Sequence, residues 1–302
     1  MTVQLNGIYT PVITPFNDDL SVDYGAFADV IDWQIEHGVA GIIVGGSTGE
    51  FFALSPTERI SQLEFAAQHI AGRVSLIVGV NDLAVDNCMK ISAAAKAGGA
   101  DALLVAAPPY VLPAPNELVQ HVRAIDRTAG LPIILYNYPA RSGTAMNDDF
   151  LDGAINIENV IAIKESSGDI TRIHQLASRY PQLQLSAGAE DLVLEFFAWG
   201  ARSWVSVIAN FMPRQAVAFH RVCVTENDFV RGRKIMLALL PLMLCLEHGG
   251  AFIQCVKQAC ALHGRPAGPV RPPLLPMSEK LQNDLQTVIN DACATIDTVL
   301  DT

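Results

Sequence analysis

The chain has 302 residues, half of them hydrophobic, enough for a large core and compatible with one α/β barrel as a single domain. Its net charge of −11 gives no electrostatic footprint for DNA or RNA, and no Lys/Arg cluster offers itself to an anionic membrane. The longest apolar run, Ile235–Leu246 with Pro241 inside it, is shorter than the roughly 20 residues of a bilayer span and predicts a buried core helix instead.

Taken in chain order, eight β-rich runs are expected: Gly7–Ile13, Ala40–Val44, Ser75–Val80, Ala102–Ala106, Ile133–Asn137, Val160–Lys164, Leu183–Ser186 and Trp204–Ile208. They are nearly continuously apolar, the pattern of strands buried on both faces. Helical periodicity fills the gaps around Tyr24–Glu36, Pro56–Ile70, Val85–Ala97, Glu117–Ala129, Asp149–Ala154, Ile170–Ser178 and Leu192–Trp199. Ser55-Pro56-Thr57-Glu58 carries an N-cap, a first-turn proline and an acid at N3. Gly38, Gly72 and Gly98 stand where helices should stop. Strict alternation of β and α implies a parallel sheet, and eight strands fit a closed (β/α)8 TIM barrel; a doubly wound sheet would need a nucleotide fingerprint that is missing. The expected barrel spans 1–210. Residues 211–302 read as a helical extension packed on it, broken by Arg271-Pro272-Pro273-Leu274-Leu275-Pro276, with the whole chain one structural unit.

The N-terminus shows no basic segment followed by an apolar stretch, so no signal peptide is read. The six cysteines (Cys88, Cys223, Cys245, Cys255, Cys260, Cys293) contain no C-x-x-C pair and mostly sit in apolar or helical context, which points to buried free thiols in a cytosolic protein. The seven histidines show neither H-x-H nor H-E-x-x-H spacing, and no metal site is expected.

Barrel chemistry sits at the C-terminal ends of the strands, and the unusual residues gather there. Strand 2 runs into Gly45-Gly46-Ser47-Thr48-Gly49-Glu50, strand 4 into Pro108-Pro109-Tyr110, strand 5 into Tyr136-Asn137-Tyr138-Pro139 and strand 6 into Lys164-Glu165-Ser166-Ser167-Gly168. Of six lysines, Lys90, Lys96, Lys234, Lys257 and Lys280 fall in helix-like or polar segments, where solvation is the default. Lys164 alone closes an apolar strand. Burial there would lower its pKa and free the neutral amine, the nucleophile of imine chemistry; the plainer reading pairs it with an acid such as Glu165 at the rim. Gly45–Gly49 is not a P-loop, because no Lys follows Gly49. Its glycines either aim backbone N–H groups at a carboxylate, with Ser47 and Thr48 adding hydroxyls, or make an ordinary tight turn. Tyr136 reads equally as a core aromatic or a placed phenol, and Arg141 as a carboxylate ligand or a surface residue.

Ser47-Thr48-Gly49-Glu50, Tyr136-Asn137-Tyr138-Pro139 and Lys164, in this order and spacing, resemble the dihydrodipicolinate synthase / N-acetylneuraminate lyase family, over essentially the whole chain from Gly7 to the proline-rich segment near Leu275. The resemblance implies a class I lyase of the cytoplasm, acting on pyruvate or another 2-oxo acid through a covalent imine on Lys164, with no further cofactor and no metal. It assigns proton shuttling to Tyr136 and gives Ser47 the place of a hydroxyl linking two tyrosines. Tyr110 would be the second tyrosine, reaching across from a neighbouring subunit of a homotetramer built as a dimer of dimers. Thr48 and the Ser47 backbone would hold the carboxylate, Arg141 would stand at the mouth, and Gly188 and Val205 would lie near the bound 2-oxo acid. The implied partners are the 2-oxo acid, an aldehyde or sugar-acid co-substrate, and further copies of the chain.

The chain departs from the synthase pattern in four places. Lys164-Glu165-Ser166-Ser167-Gly168-Asp169 replaces a Lys-Glu-Ala-like context and also resembles 2-keto-3-deoxy sugar acid dehydratases and aldolases. Pro109 takes the place of an aromatic residue and Pro56 that of a histidine, both of which serve lysine inhibition in the bacterial synthases, so lysine feedback is not expected. Gly249–Val256 lacks the usual proline-containing stretch. The nearest named activity is 4-hydroxy-tetrahydrodipicolinate synthase. The alternatives are a 2-keto-3-deoxy sugar acid dehydratase or aldolase, an N-acetylneuraminate lyase-like aldolase and, from another class, a catalytically silent barrel with a binding or regulatory role. A metal-dependent class II aldolase is a further rival that EDTA sensitivity would separate.

Overall fold

The computed structural model describes residues 3–301, and among these, eight parallel strands close into a barrel in sequence order. The strands are β1 (Gly7–Pro11), β2 (Gly41–Val44), β3 (Ser75–Gly79), β4 (Ala102–Ala106), β5 (Ile133–Asn137), β6 (Val160–Glu165), β7 (Gln184–Ala187) and β8 (Ser203–Val205), with β8 pairing back onto β1. The helices that alternate with them are α1 (Tyr24–Glu36), α2 (Pro56–Ile70), α3 (Val85–Ala97), α4 (Pro115–Ala129), the short α5 (Pro139–Ser142), α6 (Asp148–Ala154), α7 (Ile170–Arg179), α8 (Val193–Ala198) and α9 (Pro213–His220). Three longer ones follow: α10 (Phe229–His248), α11 (Phe252–Leu262) and α12 (Glu279–Leu300).

Strand alternation sorts the apolar residues into two layers. Tyr9, Ile43, Ile77, Leu104, Ile134, Ala162 and Val205 fill the barrel interior. Their neighbours Ile8, Ile42, Val78, Leu103, Leu135 and Ile163 face outward and pack beneath the helices. The predicted cap of α2 forms in full: the Ser55 hydroxyl accepts from the Glu58 N–H at 3.2 Å, and the Glu58 carboxylate accepts from the Ser55 N–H at 2.8 Å.

Two expected strands are shorter than their apolar runs, for one physical reason. The Gly7–Ile13 run leaves the ladder after Pro11, and the Trp204–Ile208 run leaves it after Val205 and turns through a 3₁₀ segment, Ile208–Asn210. The buried amide of Asn210 takes over their hydrogen bonding. It donates to the carbonyls of Pro11 at 3.1 Å and Val207 at 3.0 Å, and accepts from the Ile13 N–H at 3.1 Å.

One cluster of buried side chains runs without a break from the barrel helices into Ile235, Leu239 and Leu246 of α10, Val256 of α11, and Leu285, Ile289 and Ile296 of α12. That continuity supports our proposal that 1–210 and 211–302 form one structural unit; the helix after β8, α9, itself lies beyond residue 210. The long apolar run does form a helix, but not one buried all round. Leu237, Pro241 and Leu244 are exposed on one side of α10, while Ile235, Leu239, Leu242 and Leu246 face the core. Among the described residues no helix is long and apolar enough to cross a membrane. All six cysteines are free, four of them buried.

Candidate active site

β5 and β6 pair so that Tyr136 lies opposite Lys164 and Asn137 opposite Glu165. Side-chain alternation sends the first pair into the barrel mouth and the second to the other side of the sheet. There Asn137 donates to Glu165 at 2.8 Å, the Ser167 N–H donates to the same carboxylate at 2.6 Å, and the Asn137 carbonyl oxygen of the side chain accepts from the Met146 N–H at 2.9 Å. Glu165 is therefore a brace behind the site. The plainer reading of the sequence, a Lys164–Glu165 pair, is not what the chain forms.

Lys164 is only 7% exposed, and its Nζ stands 4.0 Å from the centre of the Tyr136 ring. Burial pushes the ammonium down to about 8, against the negative charges of Glu190 and Glu247, which pull it up. Burial also raises the Tyr136 phenol, which stays protonated at neutral pH although Arg141 and the hydroxyls of Ser47 and Ser166 oppose the shift. The Tyr136 ring is thus buried at the cavity wall with its hydroxyl protonated.

These groups open onto a cavity of about 270 Å³. Lys164, Tyr136, Ser47, Thr48, Arg141, Gly188 and Val205 all contribute to its wall. The Arg141 guanidinium lies 5.3 Å from the ring centres of both Tyr138 and Phe252. Gly188 is required by space: a Cβ there would meet the Ser166 hydroxyl at 2.1 Å, the Glu165 carbonyl at 2.7 Å and Lys164 Cγ at 2.8 Å. Gly45, which opens the loop after β2, has φ +68, the left-handed region where glycine is favoured, and lies against the Gly79 carbonyl.

Tyr110 is the one expected site residue outside this wall. It is 90% exposed, with φ +75, in a loop after β4 where Val111 and Leu112 are exposed as well. Glu190, Glu247 and Phe252 are among the groups of the wall that were not singled out from the sequence. Glu190 is 3% exposed; one carboxyl oxygen accepts from the Val207 N–H at 2.7 Å, and the other has no hydrogen-bond partner among the described residues. Burial pushes this carboxyl up to about 8. Glu190 follows Gly188 just beyond β7, so the strand-end rule that selected the other residues would have found it. Glu247 and Phe252 come from α10 and α11, where no strand-end rule applies.

The lysine inventory also needs a correction. Lys257 is not solvated: it is 4% exposed and pairs with Glu50 at 2.7 Å. Its helix, α11, turns that face toward the barrel. Among the described residues no group of three or more His, Cys, Asp or Glu side chains is placed to hold a metal ion.

A family model described as the dihydrodipicolinate synthetase family matches residues 4–292. The chain belongs to this family. A 4-hydroxy-tetrahydrodipicolinate synthase of Methanocaldococcus jannaschii is 32% identical over 290 residues, which cover 94% of this chain and 98% of the relative. The solved 4-hydroxy-tetrahydrodipicolinate synthase of Methylacidiphilum fumariolicum SolV superposes with a TM-score of 0.92 at 29% identity, covering 99% of each chain. YagE, a prophage protein of the family from E. coli K12 solved in complex with pyruvate, superposes with a TM-score of 0.89 at 27% identity, covering 96% of this chain and 99% of that one. Members of the family are lyases that need no metal or cofactor. The expected TIM barrel with C-terminal helices is the family's fold.

Proposed function

We propose that the chain is a class I lyase that forms an imine between Lys164 and pyruvate or another 2-oxo acid, with 4-hydroxy-tetrahydrodipicolinate synthase as the nearest named activity. The observation that carries this reading is Lys164 itself: a buried amine, pushed down to about 8, facing an open cavity beside a protonated phenol. A neutral amine in such a place is a nucleophile.

The steps balance on the residues at hand. The Lys164 nitrogen bonds to C2 of the 2-oxo acid, and the C2 oxygen leaves as water. The iminium draws electrons, and C3 gives its proton to the Tyr136 oxygen left bare by the first transfer. The resulting enamine adds to the aldehyde carbon of a co-substrate, the aldehyde oxygen takes up a proton, and water hydrolyses the product iminium to restore the Lys164 amine; the reverse sequence releases the 2-oxo acid. Tyr136 supplies a proton to the departing oxygen and recovers one later, a role that suits a phenol held protonated by burial. Ser47 and Ser166 lie against that phenol and orient it. Thr48 and the Ser47 backbone receive the carboxylate, while Arg141 guards the mouth.

A second reading within the family, a lyase or hydro-lyase acting on a 2-keto-3-deoxy sugar acid, is favoured by Glu190 and Glu247. Two carboxyl groups in one small cavity suit the hydroxyls of a sugar acid. Tyr110 supports an oligomer: an exposed tyrosine flanked by Val111 and Leu112 is a side chain to donate into a second copy, and we propose a tetramer built as a dimer of dimers. The six free thiols fit the reducing cytoplasm.

Trapping tests the central claim. The protein is incubated with pyruvate and borohydride, and the modified peptide is mapped. An adduct on Lys164 is expected; no adduct with any 2-oxo acid, or one on another residue, sinks the mechanism and revives the silent barrel. Full activity in EDTA is expected, and loss of activity would point to a class II aldolase. A fully active monomer would contradict the donated Tyr110.

A further inference from the structure

The loop that carries Ser47 and Thr48 ends in Glu50, whose side chain is fully buried and whose backbone sits at φ +56. A buried carboxylate far from water costs several kcal/mol unless it is paired. Here the partners come from the C-terminal layer, more than two hundred residues away in sequence. Lys257 Nζ, on α11, lies 2.7 Å from one Glu50 oxygen, and the Arg271 N–H donates to the other at 3.0 Å. Lys257 also donates to the Pro269 carbonyl at 2.6 Å. The Arg271 guanidinium donates to the Ala53 carbonyl at 2.8 Å and pairs at 2.6 Å with Glu58, the acid of the α2 capping box. Both cations cover the same ring, Phe16, at 4.2 and 4.4 Å.

The connection from Glu50 back to the hydroxyls is short. The Glu50 N–H donates to the Ser47 carbonyl at 3.1 Å, and the Gly49 N–H donates to the Gly46 carbonyl at 3.1 Å. Thr14 holds the Gly49 carbonyl at 2.7 Å from the other side. The loop is a tight coil of single turns, with glycines at positions 45, 46 and 49 that supply no side-chain packing of their own. Its shape is therefore set by what grips its end, Thr14 on the Gly49 carbonyl and Lys257 with Arg271 on Glu50.

We propose that the Glu50–Lys257 pair, with Arg271, is a positioning device: it fixes the Ser47–Thr48 loop in the form that receives the carboxylate of the 2-oxo acid, so that the C-terminal helical layer sets the affinity of a site on the barrel. The proposal rests on the imine reading above. Lys257 and Glu50 touch neither substrate nor reacting atoms. Their removal acts on binding of the carboxylate and not on the amine.

The test compares two ketones, pyruvate and its neutral amide, pyruvamide, by borohydride trapping at increasing concentration. Three proteins stand beside the wild type: Glu50→Gln, Lys257→Met, and the double variant, which leaves no uncompensated buried charge and is the one best able to fold. Thermal melting follows stability in each. In the variants the half-saturating pyruvate concentration is expected to rise roughly tenfold, a loss in keeping with a misplacement of well under 1 Å. The value for pyruvamide and the trapping rate at saturation stay within about twofold of the wild type. An equal rise for both ketones, or unchanged half-saturation with a lowered melting temperature, shows a structural strut only and overturns the proposal. A wild type that traps neither ketone overturns the imine reading instead, and the two failures are told apart by that control.

Discussion

Among the described residues two lysines are buried, and only one of them, Lys257, is paired with a carboxylate. Lys164 at the end of β6 and Lys257 on α11 are alike in exposure, each lies close over an aromatic ring, and burial lowers the pKa of both. They differ in what surrounds the nitrogen. Lys257 is engaged by Glu50 and the Pro269 carbonyl. No Lys164 ion pair is found among the described residues with a carboxylate such as Glu190; the charges of Glu190 and Glu247 act on it, and it lines the cavity. Burial alone does not mark a nucleophile. A buried amine whose donors are unspent, beside space for a ligand, does.

The sharpest way to break this comparison is to remove the amine. Lys164→Ala is expected to lower turnover by roughly a thousandfold or more, because no other group in the cavity can form the imine. Full activity in that variant ends the comparison outright. Tyr136→Phe should follow, with a loss of roughly a hundredfold or more in the rate of imine formation and the protein still folded, since only a hydroxyl is removed. A steady-state assay with intact thermal melting checks both. A Tyr136→Phe variant within a few-fold of the wild type would return that residue to the core aromatics.

Next in size is pH. With the Lys164 ammonium pushed down to about 8, the free amine falls roughly tenfold for each pH unit below that value. Imine formation at low pyruvate should rise with pH and level off above about 8. A plateau that arrives only near the ordinary lysine range would mean that the amine is solvated after all.

Much of this contrast was legible in the sequence, and the part that was not has a physical cause. Lys164, Tyr136 and the Gly45–Glu50 loop stood out because a parallel barrel delivers its strand ends to one face, and a polar residue closing an apolar run must have a reason to be there. Lys257 gave no such sign. It lies in a helical segment, where a buried and an exposed lysine look the same until the register of the helix on the barrel is known. Glu247 and Phe252 were hidden likewise, since they reach the cavity from α10 and α11. The ends of β1 and β8 were overrun because apolar residues continue past the last ladder bond, where the Asn210 amide takes over. Tyr110 is 90% exposed and lies outside the cavity wall, so its expected place in the site is not formed within the single chain.

A smaller effect tests how tightly the Lys164 side of the comparison is packed. In Gly188→Ala, the new methyl would overlap the Ser166 hydroxyl, which can rotate, but also the Glu165 carbonyl and Lys164 Cγ, which cannot move without shifting β6. Overpacking of this kind costs about 1–3 kcal/mol. Pyruvate trapping should slow by roughly tenfold as Lys164 is displaced. An unperturbed trapping rate would mean that Lys164 tolerates more room than its contacts suggest.

The mildest prediction concerns Glu190, the carboxyl that shares the cavity with Lys164. Its pKa in the folded protein, pushed up to about 8 by burial, lies well above the ordinary carboxylate range. Between those two values the folded state keeps a proton that the unfolded chain has released, so stability falls as pH rises through this window, with a slope of at most about 1.4 kcal/mol per unit. Lys164 acts in the next window with the opposite sign. Its pKa is lowered to about 8, so from there up to the ordinary lysine range the unfolded chain holds the extra proton and stability recovers as pH rises. Glu190→Gln removes the first slope and, because it takes away a charge that holds the Lys164 pKa up, lets the second begin at lower pH. Near pH 5 the variant and the wild type should melt close together; toward pH 8 the variant should become the more stable, by a few kcal/mol at most. Melting curves taken at unit steps of pH check this, and two proteins that stay parallel across the window would show that Glu190 is ionised in the cavity, with Lys164 as its true counter-charge.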